Sequence, residues 1–148
     1  MAIQLPTLEE IKSITRQSLK NNFPLFREEH KIDAYPLNEG RDLWIGYRTK
    51  WNSGLDIINS THFDLNVQDG TFYLVGINLD REERGKGLGW KLYQTSFNIA
   101  QRIGFSFVRQ TPSGGFFRNG KMVESRRDYL LKKGCVPAPG TQVDWVIN

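Results

Sequence analysis

The sequence predicts an α/β (α+β) fold: one domain with a mixed, mostly antiparallel central sheet and helices on both faces. Three observations lead to this fold. A capped amphipathic helix opens the chain, β-type segments fill residues 41–80, and the C-terminal half alternates strand, helix, strand, helix, strand. An antiparallel meander followed by such an alternation is typical of a single mixed sheet. The 148 residues suffice for one core, so we expect residues 1–148 to form one domain.

The first helix is predicted for residues 7–22. Thr7 and Glu10 have the spacing of a capping box, in which each side chain accepts a hydrogen bond from the other residue's backbone. Apolar residues recur behind them at helical spacing, and a proline at position 24 blocks continuation. The stretch after this proline has no clear pattern, and we expect at most a short second helix at residues 26–30.

Strands are predicted between residues 41 and 80. The Asp69-Gly70 pair is a hairpin turn signal. The segment after it is rich in β-branched and aromatic residues and poor in charge, which predicts a central strand. The candidate strands are residues 43–47, one strand assembled from residues 55–58 and 62–67, and residues 71–79.

The second half opens with a glycine-rich loop at residues 80–87. A helix is predicted for residues 88–103, with Gly104 as its C-terminal cap. The rest is predicted as a strand at residues 105–110, a loop at 111–120, a helix at 122–133 that stops at Gly134, and a closing strand at 142–147.

The strongest indication of function is the segment between the best strand and the best helix, which consists of Arg84, Gly85, Lys86, Gly87, Leu88 and Gly89. Glycine allows positive φ and close approach of a ligand to the backbone. A helix start offers unpaired N–H groups and the positive end of a dipole. With two cations beside it, this segment predicts an anion site suited to a pyrophosphate. A tight turn without ligand is the alternative, and the spacing does not fit the G-x-G-x-x-G fingerprint of dinucleotide-binding folds.

The stretch from Leu79 to Leu92 resembles the strand–loop–helix core of the GNAT superfamily of N-acetyltransferases. The pyrophosphate loop of that family follows the pattern Arg/Gln-x-x-Gly-x-Gly/Ala, which Arg84, Gly87 and Gly89 match. Residues 129–135 are similar to the family's fourth helix, which typically ends in Gly-Phe. The resemblance covers roughly residues 71–136.

This resemblance implies an acetyl-CoA-dependent N-acetyltransferase, with acetyl-CoA as the acyl donor and direct attack by an amine of unknown identity. It implies that Ile77, Asn78 and Leu79 line the pantetheine arm on a strand that splays from its neighbour. A backbone N–H there would polarise the thioester carbonyl. The family's usual acid is a tyrosine four residues before the helix-ending glycine, where this chain has Leu130. Tyr129, one residue earlier, is therefore the candidate acid, and a packing tyrosine is the alternative.

The general base is not assigned, because residues 71–79 contain no Glu, Asp or His. His62 and Asp64 share one face of a strand and are candidates, with an exposed polar face as the alternative reading of the pair. Cys135 stands where the family has Phe, and we expect it to be a small buried residue and not a nucleophile.

Composition narrows the classes of function. The chain is 39% hydrophobic and 24% charged, an ordinary globular mixture. No apolar run has the length of a bilayer span, and residues 1–6 lack a signal-peptide pattern. One cysteine excludes an internal disulfide, and two histidines with one cysteine are too few for a convincing zinc site. We therefore expect a cytoplasmic monomer or homodimer that needs no metal and no membrane.

Two further patterns suggest phosphate or nucleic-acid binding. Residues 115–122 nearly match a P-loop, but Met122 stands where a magnesium-binding Ser or Thr is required. We expect this segment to be a loop beside the acceptor pocket. Interleaved aromatic and basic residues can stack bases, although a half-buried strand is the favoured alternative. They are Trp44, Tyr47, Trp51, Arg41, Arg48 and Lys50. A non-catalytic acyl-CoA- or nucleic-acid-binding module is thus the competing function.

Overall fold

The computed structural model describes residues 4–50, 60–110, 115–141 and 143–147. The helices in these ranges are α1 (Leu8–Asn22), α2 (Leu88–Ile103) and α3 (Arg126–Lys132). The strands are β1 (Lys31–Leu37), β2 (Asp42–Arg48), β3 (His62–Gln68), β4 (Thr71–Asn78), β5 (Phe107–Gln110), β6 (Gly115–Arg118), β7 (Lys121–Ser125) and β8 (Asp144–Val146).

Six of these strands form one sheet in the order β1-β2-β3-β4-β5-β8, while β6 and β7 form a separate hairpin. Pairing is antiparallel throughout the large sheet except between β4 and β5. The predicted fold class, a mixed and mostly antiparallel sheet with helices, is confirmed. The predicted central position of β4 is also confirmed, since it lies between β3 and β5.

The core lies between one face of this sheet and the helices. Alternate side chains of β2, β3 and β4 are buried, and they pack in one cluster with residues of α1 and α2. Burying one large apolar side chain of this kind contributes ~1.5–3 kcal/mol. The buried set includes Leu43, Ile45, Phe63, Leu65, Phe72, Leu74, Leu19 and Leu92.

Both long helices begin and end as their sequence signals predict. The Thr7 hydroxyl accepts a hydrogen bond from the Glu10 N–H at 3.2 Å, and the reciprocal half of the capping box is present. At the end of α2, Gly104 adopts φ of 118° and its N–H donates to the Ala100 carbonyl at 3.1 Å. Only glycine adopts this left-handed conformation without strain, so it stops the helix cleanly.

Residues 24–40 differ from the prediction in two ways. The short helix suggested at residues 26–30 does not form, and a strand that was not predicted follows. Residues 26–30 form isolated turns, in which His30 donates its N–H to the Arg27 carbonyl at 3.0 Å. The unpredicted strand β1 follows at once and pairs with β2 along its whole length. Its buried Ile32 and Ala34 alternate with outward residues, which is the period of a strand and not of a helix. The predicted strand piece at residues 55–58 lies outside the described residues.

The predictions for residues 111–133 need a second correction. Residues 111–114 lie outside the described part, but 115–118 form β6 and not a loop. β6 pairs with β7 through the Asn119-Gly120 turn, whose φ angles are 53° and 76°. These two left-handed residues make the tight turn that a hairpin needs. The helix expected from residue 122 therefore begins only at Arg126, where the Ser125 hydroxyl caps it by accepting the Asp128 N–H at 3.1 Å.

Candidate functional site

The end of β4 contains a bulge. Asp64 pairs with Gly76 and Leu65 pairs with Leu74, so Val75 is an extra, bulged residue of β4. β4 pairs with β5 only at residues 73 and 74 within the described chain. A bulge bends its strand and increases the local twist at this point. The splay that the resemblance implies stays a prediction, because residues 111–114, which follow β5, lie outside the described residues.

The glycine loop follows the end of β4. A short 3₁₀ turn at residues 81–83 leads into it, and the Asp80 N–H is anchored to the Thr61 hydroxyl at 3.1 Å. Gly85 and Gly87 have φ of 79° and 78°, and Gly87 is the N-cap of α2. A Cβ on either glycine would meet no atom within 4 Å, so backbone conformation and not crowding requires glycine here. The free N–H groups at the start of α2 therefore face an uncrowded loop suited to an anion.

A cleft of about 630 Å³ opens between the end of β4, the glycine loop, the start of α2 and the inner face of α3. It brings together all but one of the cofactor and acid residues predicted from the sequence: Ile77, Asn78, Leu79, Arg84, Gly85, Gly87, Leu88, Gly89 and Tyr129. Lys86 is the exception, because its ammonium points to Glu83 at 3.5 Å and does not line the cleft. The candidate bases His62 and Asp64 are not among the lining residues either.

Three lining residues were not predicted: Tyr93, Arg126 and Lys133. Arg126, Tyr129 and Lys133 recur at positions i, i+3 and i+7, which places them on one face of α3 and its last turn. This spacing is visible in the sequence and could have identified them. With Arg84, the lining carries three cations, and no carboxylate is among the described residues that line it. The cleft is therefore electropositive and suited to a ligand with several phosphates.

Two tyrosines form the inner wall of the cleft. Their ring centroids are 5.6 Å apart, and the Tyr93 hydroxyl accepts a hydrogen bond from the Gln110 amide at 3.0 Å. Burial, reinforced by Tyr93 and Glu124, raises the pKa of Tyr129 to about 12. The Tyr129 phenol is therefore protonated at neutral pH. Tyr129 lines the cleft, one residue before the position that the resemblance implies for the acid.

His62 and Asp64 do not form an exposed polar face. Their side chains are only 16% and 22% exposed, and Asp64 is paired with Arg48 at 2.8 Å. His62 Nδ1 lies 3.1 Å from the Ser60 carbonyl, which the Asn78 amide also contacts at 2.8 Å. Because a carbonyl can only accept, Nδ1 carries the proton and Nε2 keeps its lone pair. Burial and the Arg48 charge lower the pKa of His62, so the ring is neutral at pH 7.

Cys135 packs as a partly buried residue behind the end of α3. Its N–H donates to the Leu130 carbonyl at 3.0 Å, which completes the turn at Gly134. Burial raises the pKa of its thiol and so opposes formation of the thiolate. These observations agree with a packing role and give no support for a nucleophile.

The structure also tests the two sequence patterns that suggest phosphate or nucleic-acid binding. The P-loop interpretation of residues 115–122 is wrong, because they form a hairpin and not a loop that wraps a phosphate. Among the aromatic and basic residues, Tyr47 is fully buried in the core and Arg48 is paired with Asp64. Trp51 lies outside the described residues. The described members of this set fit the half-buried strand, the favoured alternative, and not a base-stacking surface.

No protein-family model matches the chain, and no curated protein matches it either. Within the described ranges, no helix is both long and apolar enough to cross a membrane. The same ranges contain no group of three or more His, Cys, Asp or Glu placed to hold a metal ion. The geometry and charge of the cleft are therefore the basis for a functional proposal.

Proposed function

We propose that this protein is an acetyl-CoA-dependent N-acetyltransferase of the GNAT type that moves an acetyl group directly to an amine. The observation that carries the proposal is the electropositive cleft in which the end of β4 meets the glycine loop and the start of α2. A strand end that offers backbone groups, together with one helix N-terminus, suits a ligand with an amide-bearing arm and a pyrophosphate.

The donor would be held at both ends of the cleft. Residues 77–79 offer backbone N–H and C=O groups to the amides of a pantetheine arm, as an added strand would use them. The start of α2 offers its N–H groups to the pyrophosphate, with Arg84 beside it. Arg126 and Lys133 line the same cleft and supply further charge for phosphate oxygens.

The reaction forms a bond from the acceptor nitrogen to the acetyl carbonyl carbon and breaks the carbon–sulfur bond. A backbone N–H at the end of β4 stabilises negative charge on the carbonyl oxygen. The sulfur leaves as a thiolate beside Tyr129. Since an ordinary thiol has a pKa of about 8.5, a phenol with a pKa of about 12 stabilises the thiolate by donating a hydrogen bond without losing its proton. Solvent then completes the protonation.

The acceptor nitrogen must be unprotonated to attack, and it releases a proton during the reaction. We assign His62 as the base that accepts this proton. It lies opposite Asn78, a cleft residue, and its Nδ1 is fixed by the Ser60 carbonyl so that Nε2 can accept. His62 is neutral at pH 7, the form that a base requires.

A thermal-shift experiment with acetyl-CoA and ATP tests the proposal. A ligand at 100 times its dissociation constant stabilises the native state by about 2.7 kcal/mol, which is roughly 5–10 °C for a chain of this size. We expect this shift with acetyl-CoA and not with ATP. The same sample, given a panel of primary amines, should release free thiol. A shift without thiol release from any amine would indicate a non-catalytic acyl-CoA-binding module, and no shift would contradict the proposal.

A further inference from the structure

The net positive charge of this chain arises from one segment. Residues 115–133 hold six of the 20 Lys and Arg and two of the 16 Asp and Glu, a net charge of +4. The rest of the chain has 14 of each sign, so the whole formal charge of +4 belongs to this segment. The segment is the β6–β7 hairpin and α3. Such an asymmetry creates a local positive field even though the overall charge is modest.

The tip of this hairpin presents two exposed cations. Arg118 and Lys121 are paired in register on either side of the Asn119-Gly120 turn. Both are exposed, and no described carboxylate lies within salt-bridge distance of either one. By contrast, the Glu124 carboxylate further along β7 is bound by the Lys132 ammonium. The negative charge in this segment is therefore held away from the tip.

The hairpin is separate from the main sheet. Among the described strands, β6 and β7 pair with each other alone, and both contact α3. Met122 and Val123, next to the tip, are 48% and 64% exposed. Arg126 follows at the start of α3 and lines the cleft, so positive charge extends from the hairpin tip to the cleft. A two-stranded ribbon with exposed cations at its tip has the shape and charge to enter a groove of nucleic acid.

We propose that the β6–β7 hairpin docks duplex DNA, with Arg118 and Lys121 on the phosphate backbone. The major groove of B-form DNA admits a two-stranded ribbon, whereas the major groove of an RNA duplex is too narrow for side chains to read. The basic residues on β2 are poorer candidates, because Arg48 is neutralised by Asp64. This proposal does not depend on the acetyltransferase activity, since neither Arg118 nor Lys121 lines the cleft.

The test is fluorescence anisotropy of a labelled 20-base-pair DNA duplex between 50 and 200 mM NaCl. Each phosphate contact contributes about −0.9 to the slope of log K against log salt. In the double variant Arg118→Gln/Lys121→Gln, the slope should therefore decrease in magnitude by about 2, with a loss of affinity of about tenfold or more at 100 mM. Both side chains are exposed, so the melting temperature and the acetyl-CoA shift should not change.

The matched control is Arg41→Gln/Lys50→Gln, which removes the same charge from two exposed residues at the ends of β2. The control should retain most of the affinity and most of the slope. Equal losses in both double variants would mean that only net charge matters and would overturn the proposal. So would a wild-type protein that does not bind the duplex at 50 mM NaCl, or one that binds an RNA duplex of the same length equally well.

Discussion

Gly87 allows the cofactor loop to be tested separately from the fold. It is the N-cap of α2 with φ of 78° and ψ of 6°, and a Cβ there would meet no atom within 4 Å. Alanine at this position therefore costs only the strain of the left-handed backbone, about 1–2 kcal/mol of folding free energy. This cost lowers the melting temperature by roughly 2–8 °C. The new methyl group and the strained loop should misalign the N–H groups at the start of α2. We expect acetyl-CoA affinity in Gly87→Ala to fall by about tenfold or more, equal to ~1.4 kcal/mol.

Gly70 supplies the control for this strain. It has φ of 72°, it too has no atom within 4 Å of a Cβ, and it lies in the turn between β3 and β4, outside the cleft. Gly70→Ala should lose a similar amount of stability and keep wild-type affinity. Thermal unfolding and isothermal titration calorimetry with acetyl-CoA measure the two effects on each variant. If Gly87→Ala loses stability like Gly70→Ala but binds acetyl-CoA like the wild type, the loop does not hold the pyrophosphate.

Three further substitutions test the remaining parts of the site. Gly89→Ala adds a methyl group at an ordinary contact of 3.6 Å from the Leu79 side chain. This variant should stabilise α2 slightly and weaken acetyl-CoA binding by about tenfold. Unchanged acetyl-CoA affinity by calorimetry would remove Gly89 from the site. Tyr129→Phe should lower turnover about tenfold with little change in donor affinity. The wild-type phenol keeps its proton up to about pH 12, so loss of the Tyr129 proton should not lower wild-type turnover between pH 7 and 10. If the Phe variant is as fast as the wild type at every pH, Tyr129 is a packing residue. His62→Gln should lower turnover on the best amine of the panel and shift the rise of rate with pH. In the wild type the pKa of His62 is lowered, so the rate should fall only below pH 6.5, where the ring gains a proton. A pH profile of His62→Gln that matches the wild type would exclude His62 as the base.

Local signals in the sequence predicted the elements that hold the cleft. The capping box at Thr7, the Asp69-Gly70 turn and the Gly104 cap each fix one end of an element through nearby backbone contacts. For that reason α1, β4 and α2 were predicted to within one residue of their observed bounds. The anion site followed as well, because a loop and the helix after it are neighbours in both sequence and space.

The errors arose where two signals compete or where contacts are distant. At residues 122–133 a helical pattern was extended backwards over β7, although the Asn119-Gly120 turn and the Ser125 cap both indicate a hairpin before α3. The bulge at Val75 depends on pairing with β3, and pairing register is not evident in one strand alone. The low exposure of His62 likewise comes from neighbours on other strands, so the sequence could not reveal it.

Mapping of acetyl-CoA onto the backbone by amide NMR tests the central claim most directly. Titration of the ¹⁵N-labelled protein reports each N–H group separately, including those of the glycine loop and the end of β4. The account predicts that the largest shifts fall at residues 77–79 and 85–89, while the turn at Gly70 does not respond. Shifts that are absent, or that cluster away from these two segments, would contradict the assignment of the cleft to acetyl-CoA.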